Sequence, residues 1–520
     1  MKTVQTDVCI LGGGLTAWIA AEELIRSGAR VCMVRAGSGA SPFIHGFCLP
    51  VLPEDSVECL YRDTIASGYR QGTPELVHAL CDGTREIPAF LARLGIVLNV
   101  RDGQTETLRP LGASVPRVVS VGNSAGGALL RRLRNMLADE PNFTEIRGVA
   151  EQLCGDGTRI FGAVCRDADG HPFAVSARAV ISACGGYSGI LPVTTNPSDL
   201  SGCGLAMAYE AGVRLTDVEF IQFEPCVGIE PAAVRGKGIV TTMLFEGATL
   251  RNGAGETFMH RYPDGDRVGK DVMARRIRAE IERSPSPHGG VYFDATGVGA
   301  EKLNAVYGSY VARYAQCGIS LAETPVEIAT ASHTALGGVA LDCAGHTSLI
   351  GFYAAGEAAG GLHGANRMGG NAGLETIVFG RIVGQTVGME WKNLTLGTVS
   401  APETPARVLS DAQNDAFRAR LDTMIDASLN LFRSESGLQT LLDGLDIAEA
   451  ELNTFPDGGD ARAIRSRITA ARLVAISSQM RKGSVGCFQR TDARPETGRY
   501  VIDLQKINGE LRSERRMFNE

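Results

Sequence analysis

The start of the chain alternates between two apolar periods. Residues 7–11 (DVCIL) form an apolar run of strand length, and three glycines then lead into residues 15–27, where apolar positions recur with helical spacing. A second apolar run, RVCMV at residues 30–34, follows a Gly-Ala break. Strand, glycine turn, helix and strand in this order predict a βαβ unit with parallel strands.

Strand and helix patterns continue through the first half of the chain. Residues 56–94 have a helical pattern with a polar face, and residues 121–137 predict a loop followed by a long helix. Further strands are predicted at residues 144–149, 162–166 and 174–180. The last apolar run ends in the pair Gly185-Gly186, which fits a domain that completes its sheet beside a cofactor.

The pattern changes near residue 226. Short strands, turns and a charged helix at residues 268–283 occupy the segment 226–330, and its composition differs enough to predict an inserted domain. After residue 388 the chain is helical and charged to about residue 490. Residues 491–520, rich in Arg and Glu, predict an exposed tail of short strands or coil.

Glycines are densest in residues 351–380, GFYAAGEAAGGLHGANRMGGNAGLETIVFG, which contain His363, Asn366 and Arg367 and lead into an apolar helical pattern. Glycines let a backbone approach a bound group closely, and a helix start offers unpaired N–H groups and a positive dipole end. An anion or an electron-rich ring edge fits there. The alternative is a glycine-rich surface loop, with Asn371 capping the next helix.

Composition and charge narrow the class of partner. A chain of 520 residues allows about two to four domains. Its 64 glycines exceed the usual share of about 7%, which indicates tight turns against a ligand. A formal net charge of −7 without a basic run argues against nucleic acid and anionic membrane surfaces. The 13 cysteines show no CxxC or zinc spacing, and no apolar run is long enough to enter a membrane, so we expect a cytoplasmic protein that binds small molecules and no metal.

The first glycine turn carries a nucleotide-binding pattern. Gly12, Gly14 and Ala17 form G-x-G-x-x-A between the first strand and the helix. Such glycines leave room for a pyrophosphate at the helix N-terminus, although an ordinary α/β turn is the alternative. An acidic or small polar residue usually ends the second strand and meets the ribose, whereas this chain has Arg35 there. The ribose is then held otherwise, or the adenosine end has another contact.

The chain resembles the flavoprotein family of succinate dehydrogenase, fumarate reductase and L-aspartate oxidase. The resemblance covers about residues 7–388, in the family's order, on the motifs GGGLTA, ISACGG, TTNP, EFIQFEP, RVGKDVMARRI, HTALGGVALD, GFYAAGE and HGANRMGGNAGLETIVFGR. It implies FAD and an α/β fold with three parts. These are a Rossmann-like FAD-binding domain (residues 1–225 and 331–390), an inserted α+β capping domain (226–330) that closes the active site, and a helical C-terminal domain with its tail (391–520).

The resemblance also implies the residues that bind the cofactor. They are Gly12, Gly14, Leu15, Thr16, Ala17, Arg35, Ser41, Gly185, Gly186, Gly356, Glu357, Asn371, Ala372 and Leu374. Family members that attach the flavin covalently use a histidine that aligns near Ser41, and His45 lies four residues later. We therefore predict non-covalent FAD.

The same resemblance assigns substrate chemistry. In that family the substrate's carboxylates are bound, flavin N5 exchanges a hydride with one substrate carbon, and a side chain transfers a proton at the neighbouring carbon. Arg367 in HGANRMGGN matches the arginine that binds a carboxylate, and His333 in SHTALGG matches a substrate-facing histidine. A surface arginine and a core histidine are the alternatives.

Three positions depart from the family. Glu224 replaces the histidine of its QFHPT motif, Lys270 replaces the proton-transferring arginine, and Thr241 stands where an acidic residue is usual. A desolvated lysine exchanges protons readily, so Lys270 is the expected acid–base residue, with Arg267 and Arg275 as neighbouring alternatives. Glu224 is expected either to pair with Lys270 or to face a substrate ammonium or hydroxyl.

These residues predict an FAD oxidoreductase acting on a small molecule with at least one carboxylate. It would reduce an enoate C=C bond or desaturate the corresponding CH–CH bond, using Lys270, Glu224, Arg367 and His333. One alternative is an amine oxidation like that of L-aspartate oxidase, with Glu224 holding the ammonium. Another is a flavoprotein subunit that mainly relays electrons. A separate electron-transfer protein, a soluble acceptor or oxygen would complete the reaction.

Overall fold

The structure is a computed structural model that describes residues 2–197 and 200–518. Its strands are numbered in chain order: β1 Lys2–Gln5, β2 Val8–Leu11, β3 Val31–Arg35, β4 Gly46–Cys48, β5 Val100–Arg101, β6 Gln104–Thr105, β7 Val118–Ser120, β8 Phe143–Gly155, β9 Ile160–Asp167, β10 Pro172–Ser176, β11 Ala179–Ser182, β12 Leu215–Thr216, β13 Ile221–Gly228, β14 Thr249–Arg251, β15 Val291–Asp294, β16 Val326–Ala335, β17 Gly338–Val339, β18 Phe352–Ala354, β19 Phe432–Arg433, β20 Gln489–Arg490, β21 Tyr500–Ile507 and β22 Glu510–Met517.

The α-helices are α1 Leu15–Arg26, α2 Val57–Ser67, α3 Pro74–Gly83, α4 Ile87–Arg93, α5 Ala125–Leu137, α6 Cys203–Glu210, α7 Lys270–Arg283, α8 Ala300–Ala315, α9 Asn371–Glu390, α10 Asp411–Leu429, α11 Glu435–Leu452 and α12 Gly459–Met480. The helices predicted within residues 15–27, 121–137 and 268–283 are confirmed as α1, α5 and α7. Within residues 2–197 and 200–518, every helix is too short or too polar to cross a membrane.

The large sheet is 8-stranded, in the order β1-β10-β9-β8-β3-β2-β11-β18. β2 lies between β3 and β11 and runs parallel to both, with Val8 opposite Val31 and Ala179. β2 and β11 are buried along their whole length, as is usual for parallel strands covered on both faces. α1 connects β2 to β3 and packs on α9, so the predicted βαβ unit is confirmed.

The single strand predicted at residues 174–180 is wrong, because the chain forms two strands there. β10 pairs antiparallel with β9, whereas β11 pairs in parallel with β2 and β18. The Ala177 N–H donates to the Phe161 carbonyl, and the Ala179 N–H donates to the Asp7 carbonyl. The chain therefore changes partners at residues 177–179. Both strands are buried, so the apolar pattern continues across the change.

The chain divides into two units. Unit 1 comprises residues 1–192, 197–221 and 334–520, and unit 2 comprises residues 193–196 and 222–333. The segment 226–330, predicted as an inserted domain, lies within unit 2. The segment 391–520, predicted as a helical domain with a tail, lies within unit 1 and contributes α10, α11 and α12.

Unit 2 is organised around a sheet in the order β13-β16-β15-β14. β15 is antiparallel to both of its neighbours. β13, with the sequence IQFEPCVG, is buried along its whole length. The sheet, together with α7 and α8, gives this unit the α+β composition that was predicted for the inserted segment.

The exposed tail predicted for residues 491–520 is wrong for its first strand. β21 and β22 form a hairpin within a 4-stranded sheet in the order β17-β12-β21-β22. Tyr500, Val501, Ile502 and Leu504 are buried, because β21 has a neighbouring strand on each side. The charged residues that suggested a tail belong mostly to β22, an exposed edge strand.

Arg481, which follows α12, is fully buried in unit 1, with 0% of its side chain exposed. Its Nε donates to Glu219 Oε1 at 2.5 Å. Its guanidinium lies 4.5 Å from the ring centroids of both Phe220 and Tyr500. A buried charge is tolerated only with a close partner. This pair therefore connects the end of α12 and the start of β21 with the residues before β13.

We expect Arg481→Met to lower the free energy of unfolding by about 3–5 kcal/mol, because Glu219 would lose its buried partner. Urea unfolding followed by circular dichroism measures the loss. Arg512→Met is the matched control, since Arg512 lies on β22 with 67% of its side chain exposed. An exposed ion pair contributes only about 0–1 kcal/mol. Equal unfolding midpoints for the two variants would contradict a stabilising role for the buried pair.

Candidate active site

The turn between β2 and α1 packs closely on the residue that follows β11. Gly12 has a φ of 125°, and a Cβ there would lie 2.0 Å from the Ala183 carbonyl oxygen, so only glycine fits. α1 starts after Gly14 with no side-chain cap and no acidic residue in its first turn. The Leu15 N–H donates to Ser41 Oγ at 2.8 Å. The positive end of the helix dipole is therefore suited to a pyrophosphate.

Two further close approaches involve predicted cofactor residues. A Cβ on Gly356 would lie 2.4 Å from Thr16 Oγ1, and a Cβ on Gly186 would lie 2.4 Å from Glu357 Oε1. The Ala335 N–H donates to Glu357 Oε1 at 3.0 Å. Residues from α1, from the end of β11 and from the segment after β18 therefore meet at positions where a side chain is excluded.

Glu357 has an unusual proton affinity. The pKa of its carboxyl is raised from 4.5 to about 7, chiefly by burial. The nearby carboxyl of Glu375 adds to the rise, whereas the Ala335 N–H and the Arg367 guanidinium act against it. This carboxyl can therefore exist in either protonation state near neutral pH, and it can donate or accept a hydrogen bond to a bound group.

The helix α9 begins differently from the alternative considered above. Gly370, with a φ of 86°, is the N-cap, and Asn371 is the first helical residue, so the interpretation of Asn371 as the cap is wrong. Asn371 is fully buried, and its Nδ2 donates to Thr64 Oγ1 at 3.0 Å. Ala372 is partly buried and Leu374 is fully buried on the same helix.

The loop before α9 is mostly buried, which excludes the surface-loop interpretation. Arg367 is 6% exposed and donates from Nη1 to the Met368 carbonyl at 3.2 Å. His363 Nε2 lies 2.9 Å from Glu375 Oε2, and both side chains are buried. Glu375 had no predicted role. Its signal was a charged residue inside the apolar pattern of α9.

Arg35, at the end of β3, forms an ion pair with Glu145 of β8. Its side chain also covers Gly13, since a Cβ on Gly13 would lie 2.4 Å from Arg35 Cδ. The structure thus provides a partner for Arg35 inside unit 1. A contact of Arg35 with the adenosine end of a cofactor stays a prediction.

The residues of unit 1 fit an FAD molecule. Ala17 is fully buried in α1, and Gly185, with a φ of 74°, follows β11 beside Gly186. A dinucleotide requires backbone without side chains beside its pyrophosphate and an uncapped helix start, and the first glycine turn supplies both. Gly12, Gly14 and Leu15 would hold the pyrophosphate.

In unit 2, the strands β13 and β16 and the start of α7 bring together three predicted catalytic residues. Lys270 is the first residue of α7, and its Nζ donates to Glu224 Oε2. His333 Nε2 lies 3.6 Å from the same oxygen, and His333 Nδ1 lies 2.7 Å from Thr195 Oγ1. The exposed fractions of the side chains are 20% for Lys270, 9% for Glu224 and 29% for His333. Two basic side chains therefore share one carboxylate.

The neighbouring arginines of α7 and of the loop before it are placed differently. Arg275 donates from Nη1 to Asp271 Oδ2 at 3.2 Å, within α7. Arg267 precedes the helix, and its backbone N–H donates to the Asp264 carbonyl. Lys270 is thus the residue of the three whose contact with Glu224 is defined.

Thr241 begins the 3₁₀ turn Thr241–Glu246 and is buried. Burial raises the pKa of the Cys226 thiol far above its usual range, and Glu224 adds to that rise. Burial also raises the pKa of Tyr310, with a contribution from Glu224. Thr195, Cys226 and Tyr310 had no predicted role. The TTNP motif pointed to Thr195, whereas no spacing marked the other two.

The chain is similar to known flavoproteins along nearly its whole length. The family model described as "FAD binding domain" matches residues 7–372. The fumarate reductase (CoM/CoB) flavoprotein relative from Methanothermobacter marburgensis is 30% identical over 541 residues, covering 97% of this chain and 98% of that protein. L-aspartate oxidase from Mycobacterium tuberculosis is 30% identical over 515 residues, covering 95% of this chain and 94% of that protein.

A solved structure of an E. coli quinol fumarate reductase FrdA variant has the same fold. Its TM-score is 0.89 at 22% identity, covering 99% of this chain and 97% of that chain. This likeness confirms the predicted fold class, an α/β Rossmann-like FAD-binding domain with an inserted α+β domain and C-terminal helices. The family match and the two relatives aligned along nearly the whole chain show that this protein belongs to the FAD binding domain family, with a fumarate reductase and L-aspartate oxidase among its relatives, and is an FAD-dependent oxidoreductase.

Proposed function

We propose that this protein reduces an enoate C=C bond, or desaturates the corresponding CH–CH bond, of a small molecule that carries at least one carboxylate. The contact of Lys270 with Glu224 supports this most directly, because an ammonium group held by a carboxylate in a mostly buried setting is suited to proton transfer. FAD, when bound, supplies the two-electron chemistry at the substrate carbon.

Each side chain has its own task in this proposal. Lys270 gives a proton to, or takes one from, the carbon next to the one that is reduced or oxidised. Glu224 holds the Lys270 ammonium in position. Arg367 binds a substrate carboxylate through its planar pair of donors. His333, oriented by Thr195 at 2.7 Å, offers a ring nitrogen to the substrate.

Amine oxidation is the second candidate, because L-aspartate oxidase is a relative along 95% of the chain. In that reaction Glu224 would bind the substrate ammonium while a C–N bond is oxidised to an imine. The contact between Glu224 and Lys270 weighs against it, since two ammonium groups would compete for one carboxylate. In the third candidate, a subunit that mainly relays electrons, this contact would have no chemical role.

Anaerobic spectroscopy distinguishes the three candidates. Photoreduced FAD in the purified protein is mixed with a panel of enoates, and its reoxidation is followed by absorbance. Separately, oxidised FAD is mixed with a panel of amino acids, and its bleaching is followed. Reoxidation by enoates alone would support C–C chemistry, and bleaching by amino acids alone would support amine oxidation. A protein that responds to neither panel would favour electron relay.

We expect Lys270→Met to slow enoate turnover by about 100- to 10,000-fold, the usual contribution of general acid–base catalysis, with FAD still bound. Stopped-flow absorbance measures the turnover, and the visible flavin spectrum reports binding. Lys302→Met is the matched control, because Lys302 also lies in unit 2 and pairs with Glu246 at 2.8 Å, with 48% of its side chain exposed. Undiminished turnover in Lys270→Met would remove Lys270 from the mechanism.

We also propose that FAD is held without a covalent bond. The position that aligns near the family's attachment histidine is Ser41, whose Oγ accepts the Leu15 N–H. Acid precipitation should therefore release the flavin, giving a colourless pellet and a yellow supernatant. A pellet that stays yellow after washing would show a covalent bond, and mass spectrometry of its peptides would test whether His45 carries the flavin.

A further inference from the structure

The contact between Glu224 and Lys270 determines the charge that unit 2 presents to a substrate. Lys270 Nζ donates to Glu224 Oε2, and His333 Nε2 lies 3.6 Å from the same oxygen. The ammonium and the carboxylate cancel each other. With a neutral imidazole at His333, the three side chains therefore carry no net charge.

Resting on the proposed function, we propose that the substrate is a monocarboxylate whose other end is a neutral hydrogen-bonding group, such as a primary amide or a hydroxyl. The single carboxylate is the group assigned to Arg367. The neutral group is the one assigned to the pair formed by Lys270 and Glu224.

A second carboxylate would not be stabilised by this pair. It would be attracted by Lys270 and repelled by Glu224, and the two effects oppose each other at similar range. The side chains are only 20% and 9% exposed, so water and salt screen neither effect strongly. The incoming anion would also lose much of its hydration. Binding a carboxylate there is therefore unfavourable.

The arginines on the adjoining helices do not supply a surplus of positive charge. Arg275 of α7 pairs with Asp271 at 3.2 Å. Arg313 of α8 donates from Nη1 to the Gly238 carbonyl at 3.0 Å. Each of these guanidinium groups is thus directed at an oxygen of unit 2 itself, and neither is placed to offset the charge of Glu224.

A substrate ammonium is also disfavoured, because it would compete with Lys270 for Glu224. A neutral group that both donates and accepts hydrogen bonds has no such penalty. An ammonium has three N–H donors, and a carboxylate accepts about four hydrogen bonds, so the pair places donors and acceptors side by side. A primary amide, or a hydroxyl, has the complementary arrangement.

Two enoates of nearly the same shape test this in the wild-type holoenzyme. Fumarate and its monoamide, fumaramate, differ only in whether the second end is a carboxylate or an amide. We expect the monoamide to reoxidise photoreduced FAD with a second-order rate constant at least about tenfold larger than that of fumarate. Titration calorimetry should show the same preference, on the order of tenfold, for succinamate over succinate as ligands of the oxidised protein.

The outcomes separate this inference from the proposed function. If no enoate in the panel reoxidises the flavin, the proposed function fails. If fumarate reacts as fast as the monoamide, or faster, the proposed function stands and the inference about the neutral end is overturned. 4-Hydroxycrotonate serves as a second neutral substrate and should also react faster than fumarate.

A variant tests the charge itself. Glu224→Gln keeps the shape of the side chain and removes its charge, so we expect the ratio of the fumarate rate to the monoamide rate to rise by about tenfold or more. Glu282→Gln is the matched control, because Glu282 lies on α7 with 60% of its side chain exposed, and the ratio should not change. An unchanged ratio in Glu224→Gln would overturn the inference. If that variant does not fold, the wild-type comparison of the two enoates still decides.

Discussion

The close approach of backbone to backbone at the first glycine turn is the constraint on which unit 1 depends. A Cβ on Gly12 would lie 2.0 Å from the Ala183 carbonyl oxygen, and a Cβ on Gly380 of α9 would lie 3.1 Å from the Thr16 carbonyl oxygen. These contacts fix α1 against both the large sheet and α9. Because the positive end of α1 lies in the same turn, the packing that builds the core also prepares the place for a pyrophosphate.

The local parts of this arrangement could be predicted from the sequence. Glycine spacing and apolar periodicity are properties of neighbouring residues, so the βαβ unit, the G-x-G-x-x-A turn and the helix after residue 370 were predicted close to their observed places. Partner choice over long distances has no such local signal. Glu219 and Arg481 are separated by 262 positions, and no pattern around either residue indicated their pairing.

The candidate site shows the same division. Motifs marked Glu224, Lys270 and His333 one by one, and pairing of Glu224 with Lys270 was one of two expectations for Glu224. The sequence did not show that His333 reaches the same carboxylate oxygen, because β13 and β16 meet only in the folded sheet. The change of strand partners at residues 177–179 was missed for a related reason. Burial hides such a change behind a continuous apolar run.

The position of Lys270 adds a further electrostatic constraint. It is the first residue of α7, where the positive end of the helix dipole disfavours an ammonium group. Glu224 from β13 and Asp271 from the same first turn place carboxylates near this end. A lysine at such a position is tolerated because negative charges surround the helix start, so its setting depends on a strand distant in sequence as well as on the helix.

Burial of the last strands in the core of unit 1 bears on the shortest piece of this chain that can fold by itself. The family match ends at residue 372, within the first turn of α9, whereas unit 1 includes all of α9 as well as α12 and β21. A fragment cut at the end of the match would lack the helix that packs on α1 and the arginine that neutralises Glu219. The segment recognised by its motifs is therefore smaller than the autonomous folding unit, and the cofactor cradle depends on residues that carry no flavin motif.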